Sequence, residues 1–350
     1  MQPLQAIERA AYALSQGLRV SWYLGHYLAT VRIQPRPTGR RPRPRGGARP
    51  PGLGEVLADL GQLFLADRAS IEAGQYRLPG GFIGPWTILD ALDRSLLYFR
   101  DLPAVFLRRR TRNGEDVRQD PTASRYPAYY RQNFHYQSDG YLSAKSARLY
   151  DHQVETLFIG GADAMRRRLL VPLAELLRRR GRRPSRLLDL GCGTGRLLHQ
   201  IKANHPRLAT FGLDLSPPYL TEARRSLDGC SKLVFINAKA EALPLASASM
   251  QAVTASFLFH ELPAQVRREV VKEVARVLEP GGAFLFLDSL QTGDHPPYDA
   301  ILERFPAVAH EPYYADYIGA DLPRLFGDHG LVVERSERAF FAKLLVARRR

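Results

Sequence analysis

Residues 187–195 read LLDLGCGTG, an apolar run that ends in a turn with glycine at every second position. Such a turn lets a ligand approach the backbone closely, because glycine accepts left-handed dihedrals and places no Cβ in the way. A helix starting at the turn would offer unpaired N–H groups and the positive end of its dipole, which suits a carboxylate. About twenty residues on, Asp214 closes a second apolar run, Thr210 to Leu213. A carboxylate at that strand end can accept both hydroxyls of a ribose. Either signal alone fits a tight turn or a capping acid. Together, at this spacing, they read as a cofactor site. Ser216 and Pro217 then read as the N-cap and first residue of a helix.

A second set of reactive types follows the apolar run that ends at Ser256. His260 and Glu261 are the ionisable pair nearest that strand end. A histidine oriented by a carboxylate can take a proton from an oxygen or an acidic carbon. The plainer reading of His260 is a packing or capping residue. Two aromatic groups flank the glycine turn in sequence. Tyr130, Phe134, His135, Tyr136, Tyr141 and the Tyr150-Asp151 pair precede it; Tyr298, Phe305, Tyr313, Tyr314 and Tyr317 follow it. The first group reads as a lid or as the core of an N-terminal cap, the second as a pocket wall.

These residues need elements to position them. Short apolar runs at 186–190, 208–213, 232–236, 251–256 and 282–288 alternate with helical stretches near 194–204, 217–227 and 264–277. That alternation predicts an α/β fold with a parallel sheet. The last two runs, 331–336 and 340–347, are too close for a crossover helix and must pair antiparallel. Upstream, the patterns predict helices over 4–31, 54–78, 86–98 and 163–180, the last kinked near Pro172. The stripe Leu4, Ile7, Ala11, Leu14, Leu18, Leu24, Leu28 and Val31 reads as the inward face of the first helix; a membrane-surface helix is the other reading. The domains expected are a helix over 1–33, an Arg/Pro/Gly-rich linker over 34–53, a helical and aromatic cap over 54–149, and a catalytic domain over 150–350.

The turn Asp189, Gly191, Gly193, Gly195 is D-x-G-x-G-x-G rather than the dinucleotide pattern G-x-G-x-x-G. It resembles the motif of class I S-adenosylmethionine-dependent methyltransferases, with all four fixed positions present. Residues 276–282, RVLEPGG, resemble the family's signature before its fifth strand, and the resemblance covers most of 186–348. It implies a Rossmann-like seven-stranded sheet and S-adenosyl-L-methionine as cofactor. It also implies that Gly191, Cys192, Gly193, Thr194 and Gly195 wrap the methionine end, with Asp189 holding the amino group through bridging contacts. Asp214 and Leu215 fall at the ribose, Ala240 and Glu241 at the adenine, and Ser256 at the fourth strand end. Tyr150 would sit on a helix closing over the cofactor. Two positions depart from the pattern: Lys239 stands where an adenine-binding Asp is usual, and Met250-Gln251 where Phe-Asp is usual. A lysine cannot accept the adenine amino hydrogen bond. The look-alikes Ser216-Pro217-Pro218-Tyr219 and His295-Pro296-Pro297-Tyr298 follow the wrong strands for a nucleic-acid amino-methyltransferase loop.

The chain looks most like the small-molecule branch that includes ubiquinone and menaquinone methyltransferases. The reaction this implies is methyl transfer to a carbon or oxygen nucleophile of a small apolar or aromatic molecule. The alternatives are an RNA or protein methyltransferase and a non-catalytic cofactor-binding protein. The net charge of +15 is what raises nucleic acid as a partner. Much of the excess lies in arginine runs at 36–49, 166–183 and 348–350, which read as solvated. Two distant cysteines exclude a disulfide framework, and no Cys/His cluster has zinc spacing. No metal is expected. A reducing, cytoplasmic setting fits, with membrane-peripheral contact through the first helix as a variant. The acid-poor first 50 residues also have the composition of an organellar transit peptide.

Overall fold

The computed structural model describes residues 3–34, 49–80 and 88–350, with side chains from residue 6. Most of the arginine-rich stretch expected as a linker lies outside the described residues, as does Trp86. The N-terminal third holds α1 (Pro3–Ile33), α2 (Leu53–Glu72) and α3 (Ile88–Thr111), then short 3-10 turns. Next come α4 (Ala144–Leu157), α5 (Ala162–Arg167) and α6 (Leu170–Arg180). The alternating part follows as β1 (Arg186–Leu190), α7 (Arg196–Asn204), β2 (Ala209–Asp214), α8 (Pro217–Ser226) and β3 (Leu233–Asn237). It continues with β4 (Met250–Ser256), α9 (Ala264–Val277) and β5 (Leu278–Ser289). The chain closes with α10 (Pro296–Ala309), α11 (Tyr314–Tyr317), α12 (Leu322–Gly327), β6 (Leu331–Ala339) and β7 (Ala342–Arg349).

The strands form one seven-stranded sheet in the order β3-β2-β1-β4-β5-β7-β6. β1 to β5 run parallel, and β7 runs antiparallel to both β5 and β6. Alternating side chains supply the two faces of the sheet. Leu187, Ala252, Ala283, Leu285 and Leu287 pack with α2, α5, α6 and α10 on one side. Leu188, Leu190, Val253, Phe284 and Phe286 pack with α9 and α12 on the other. In α9 the inward residues Val270, Val271, Val274 and Val277 recur at helical spacing and are fully buried. Because β1, β2 and β4 are parallel, their carboxyl ends share one edge, where this class of sheet binds ligands.

Four helical expectations change, the first being that the 54–78 helix stops at Glu72. The 163–180 helix breaks at Arg168–Leu169, before Pro172, leaving Pro172 in the first turn of α6. A proline clashes with the carbonyl four residues earlier, so the first turn of a helix is where it costs least. α3 runs past Tyr98 to Thr111, through Pro103. The largest change is at α1, which packs on the protein with the face opposite to the one expected. Ile7 and Leu14 are 66% and 65% exposed, and Leu18, Leu28 and Val31 also face outward. Tyr12, Gln16, Arg19 and Tyr23 are buried instead, with Val20 and Leu24 partly so. The surface under α1 explains the inversion. It presents carboxylates, and Arg19 pairs with Glu155 of α4 and with Asp163 of α5 at 3.0 Å. The Tyr12 hydroxyl donates to Asp67 Oδ2 at 2.6 Å.

Candidate active site

Two adjoining cavities lie at the carboxyl edge of the sheet. The first is the more polar of the two and is lined by the glycine turn. Gly191, Gly193 and Gly195 all adopt positive φ, at 61°, 54° and 82°. At Gly193 the reason is open space: a Cβ there would meet nothing nearer than Tyr219 Cδ1 at 4.0 Å. At Gly195 it is close packing, because a Cβ would sit 2.7 Å from Leu227 Cδ1. Asp214, at the end of β2, accepts from the backbone N–H of Gly193 and of Ser216, each at 2.8 Å. Burial raises its pKa, and those two backbone donors pull it back. Each oxygen still has a lone pair for a second donor. Ser216 caps α8 and Pro217 begins it, as expected.

The residues expected around this cavity mostly line it. Gly191, Cys192, Gly193, Thr194, Asp214, Leu215, Ala240, Glu241, Ser256, Tyr150 and Glu261 all face it. Gly195 does not, being packed under α8. Asp189 stands behind the wall, 1% exposed. Its Oδ1 accepts from Thr254 Oγ1 at 2.7 Å, and its Oδ2 has no partner. Burial pushes its pKa up to about 7. Lys239 also lines the cavity, and Glu241 beside it accepts from the Tyr129 hydroxyl at 2.7 Å. The N-terminal region thus closes this side. Thr194 Oγ1 ties the turn to α4 by donating to Asp151 Oδ1 at 2.7 Å.

The second cavity is apolar and about 300 Å³ in volume. Val154, Ile301, Leu302, Phe305 and Phe341 form much of its wall, and His135, His260, Glu261 and Tyr314 supply its polar groups. Tyr150, Phe257 and Glu261 line both cavities and mark where they meet. His260 is therefore on the apolar side only. Its Nδ1 is 2.5 Å from Asp288 Oδ1, at the end of β5. The sequence paired His260 with Glu261 as its orienting carboxylate, but Glu261 is 3.9 Å from Nε2 and Asp288 holds the ring. Asp288 Oδ2 also accepts from the backbone of Leu258 and Phe259, fixing the strand end.

Burial works to lower the His260 pKa, but the Asp288 carboxylate outweighs it and holds the imidazolium to about 9. Burial raises Glu261 to about 7, restrained by His260 and by the Tyr141 hydroxyl, which donates to it at 2.5 Å. Glu311 is 1% exposed, neither of its oxygens makes a hydrogen bond, and His135 Nδ1 lies 3.5 Å away. Burial and then Glu261 push Glu311 well above the carboxylate range. One ligand atom from each of His260, Glu261 and Glu311 falls within 4.8 Å of the others, a set that could hold a divalent cation or share a proton. Sequence reasoning missed Asp288, Glu311 and Tyr141 as members of this group. Asp288 had a readable signal, since it ends a strand as Asp214 does.

The aromatic segments divide between wall and core. Tyr130 and Tyr141 line the polar cavity, and His135, Phe305 and Tyr314 the apolar one. Phe134, Tyr136, Tyr298 and Tyr317 are buried in packing.

Residues 187–282 match the family model described as a methyltransferase domain. The chain is 36% identical over 129 residues to a demethylmenaquinone methyltransferase of Thermus thermophilus, covering 37% of this chain and 56% of that protein. It is 33% identical over 162 residues to a ubiquinone/menaquinone biosynthesis C-methyltransferase of Methylobacterium nodulans, covering 45% and 62%. The chain carries a class I S-adenosylmethionine-dependent methyltransferase domain. It also resembles a malonyl-acyl-carrier-protein O-methyltransferase of Methylococcus capsulatus, at 32% identity over 126 residues, 36% of this chain and 45% of that one. The chain thus spans 45% to 62% of the length of these curated relatives. A solved S-adenosylmethionine-dependent methyltransferase from Aquifex aeolicus is similar with TM-score 0.37 and 18% identity, over 49% of this chain and 87% of that one. The glycine turn and the strand-end acid Asp214 both lie within the matched residues. The open space at Gly193 and the spare lone pairs of Asp214 fit a ligand with ribose hydroxyls.

Proposed function

We propose that this protein transfers the methyl group of S-adenosylmethionine to an oxygen or acidic carbon of a small, largely apolar acceptor. The observation that carries this reading is the junction, where a carboxylic acid, Glu261, lines both the cofactor-type cavity and the apolar one beside Tyr150 and Phe257. When bound, S-adenosylmethionine supplies an electrophilic methyl group on a sulfonium. Asp214 would accept the ribose hydroxyls, the turn from Gly191 to Thr194 would hold the methionine end, and Glu241 with Lys239 would border the adenine.

The chain's own residues then do three things. The walls formed by Val154, Ile301, Leu302 and Phe305 exclude water and hold the acceptor beside Glu261. Glu261 takes the acceptor's proton, a role suited to a carboxylate whose pKa has risen to about 7. His260, held cationic by Asp288, faces the carboxylate and stabilises its ionised form, with Tyr141 donating to it. His260 is thus a positioning residue rather than the base itself.

An apolar cavity of this size supports a ring or acyl chain, and the quinone and acyl-carrier names of the similar proteins point the same way. The test is transfer of labelled methyl from S-adenosylmethionine to a panel of quinols, phenols and acyl carboxylates. Turnover on at least one class, lowered about 10²–10⁴-fold in Glu261→Gln, is the expected result. Cofactor binding without turnover on any acceptor would make this a non-catalytic binding protein instead.

A further inference from the structure

We propose that the outward apolar face of α1, with the exposed stripe of α3 beside it, docks on an anionic lipid bilayer. The inward face of α1 is already occupied by its contacts with α2, α4 and α5. What remains outward is Ile7, Leu14, Leu18, Leu28 and Val31, each between 46% and 66% exposed. Between them on the same face lie only small residues, Ala10, Gly17, Ser21 and Gly25, all exposed. Glu8 is the only acid in the helix; Arg9 is drawn to Glu72, and Arg19 is buried. α3 repeats the pattern, with Leu89, Leu92, Leu96 and Leu107 between 49% and 77% exposed. The two helices touch where the Thr30 and Tyr98 hydroxyls meet at 2.8 Å and Phe99 stacks on His26 at 5.2 Å. A fold has no need of two neighbouring apolar stripes turned to water, and faces of this kind mark interaction sites.

Charge selects the occupant. Arg32, Arg100 and Arg110 are exposed along these helices, and the whole chain carries +15. Anionic headgroups complement that rim, whereas a second copy would set like charge against like. No helix among the described residues is long and apolar enough to cross a membrane, so the face would lie flat in the headgroup region. The face is also continuous with the apolar cavity. Tyr27 of α1, Leu53 at the start of α2 and Leu157 at the end of α4 line that cavity and are 36%, 41% and 38% exposed. The cavity mouth therefore opens beside the docking face, and an acceptor dissolved in the bilayer would reach Glu261 without crossing water. This last step rests on the proposed methyl transfer; the docking does not.

The test is co-flotation of the full chain with vesicles of phosphatidylcholine alone and of phosphatidylcholine mixed with phosphatidylglycerol. The wild type should float with the mixed vesicles, less so at high salt. Replacing Leu14, Leu18 and Leu28 together by Glu should lower partitioning roughly tenfold or more. Binding of S-adenosylhomocysteine should be unchanged, which shows that the variant folds and keeps the two proposals separate. If that variant fails to bind the cofactor product, Leu92→Glu with Leu96→Glu on α3 serves in its place, with the same loss expected. A wild type that stays unbound with both vesicle types overturns the proposal, as does a folded variant that floats like wild type. A dimer in light scattering that the variant converts to monomer also overturns it, and assigns the face to a second copy.

Discussion

The sheet and the first helix solve the same packing problem in opposite ways. In the sheet core, α9 turns four valines inward, and of its charged side chains only Arg267 is buried. In α1 Leu14, Leu18 and Leu28 face out, and an arginine, a glutamine and two tyrosines face in. The cause is the surface each helix meets. α9 meets the apolar underside of β4 and β5, whereas α1 meets Glu155 and Asp163. Asp163 also pairs with Arg196, the first residue of the helix after the glycine turn, and with Arg166 at 3.4 Å. Burial acts to raise the pKa of Asp163, but Arg196, Arg19 and Arg166 outweigh it and hold the carboxyl far below its usual range. A helical stripe shows that a helix has two faces; only the partner surface decides which is inside.

The sharpest way to break this comparison is to remove the shared carboxylate. Asp163→Ala should cost about 3–5 kcal/mol, because it takes a shared buried carboxylate away from Arg19, Arg166 and Arg196. Urea unfolding would measure the cost, and cofactor-product binding should weaken with it, since Arg166 and Arg196 line the cofactor cavity. The same truncation should next give opposite results in the two regions. Leu285→Ala, in the sheet, should cost about 2–5 kcal/mol, and Leu14→Ala, on the outer face of α1, should stay within about 0.5 kcal/mol. Equal losses at both sites would mean that the outer face of α1 is covered.

The smallest effects are those of pH. Glu261 and His260 both have raised pKa values, so their contributions to stability are fully present in acid and lost with rising pH. The Glu261 share goes between the ordinary carboxylate range and about 7, and the His260 share as pH rises from its ordinary value through about 9. Thermal melts should show the second loss flattened in Asp288→Asn. Turnover should run the other way at first, rising through about pH 7 as Glu261 ionises, and Glu261→Gln should abolish that rise. Adding a chelator should leave the rate unchanged if the His260, Glu261 and Glu311 cluster shares protons, and lower it if the cluster holds a metal.

Much of the methyltransferase domain was legible because its signals are local. The glycine turn, the strand end at Asp214, the capping Ser216 and the closing hairpin are each carried by residues close together in the chain. The parallel sheet then follows from the strand–helix alternation, and its antiparallel close from the short last connection. What escaped reading depends on distant partners. Asp288 meets His260 across 28 residues, and Glu311 reaches the same cluster only after α10 has folded back. The face of α1 was misread for the same reason, since Glu155 and Asp163 lie more than 130 residues from Arg19. Asp189, which the resemblance has holding the ligand through bridging contacts, stands behind the cavity wall.

The most direct test of the central claim is calorimetric titration of the purified protein with S-adenosylhomocysteine, beside an Asp214→Ala variant checked for folding by circular dichroism. Micromolar binding by the wild type, lost in the variant, is the predicted result. No binding by the wild type at millimolar ligand would contradict the account, because the glycine turn would then not be serving this cofactor.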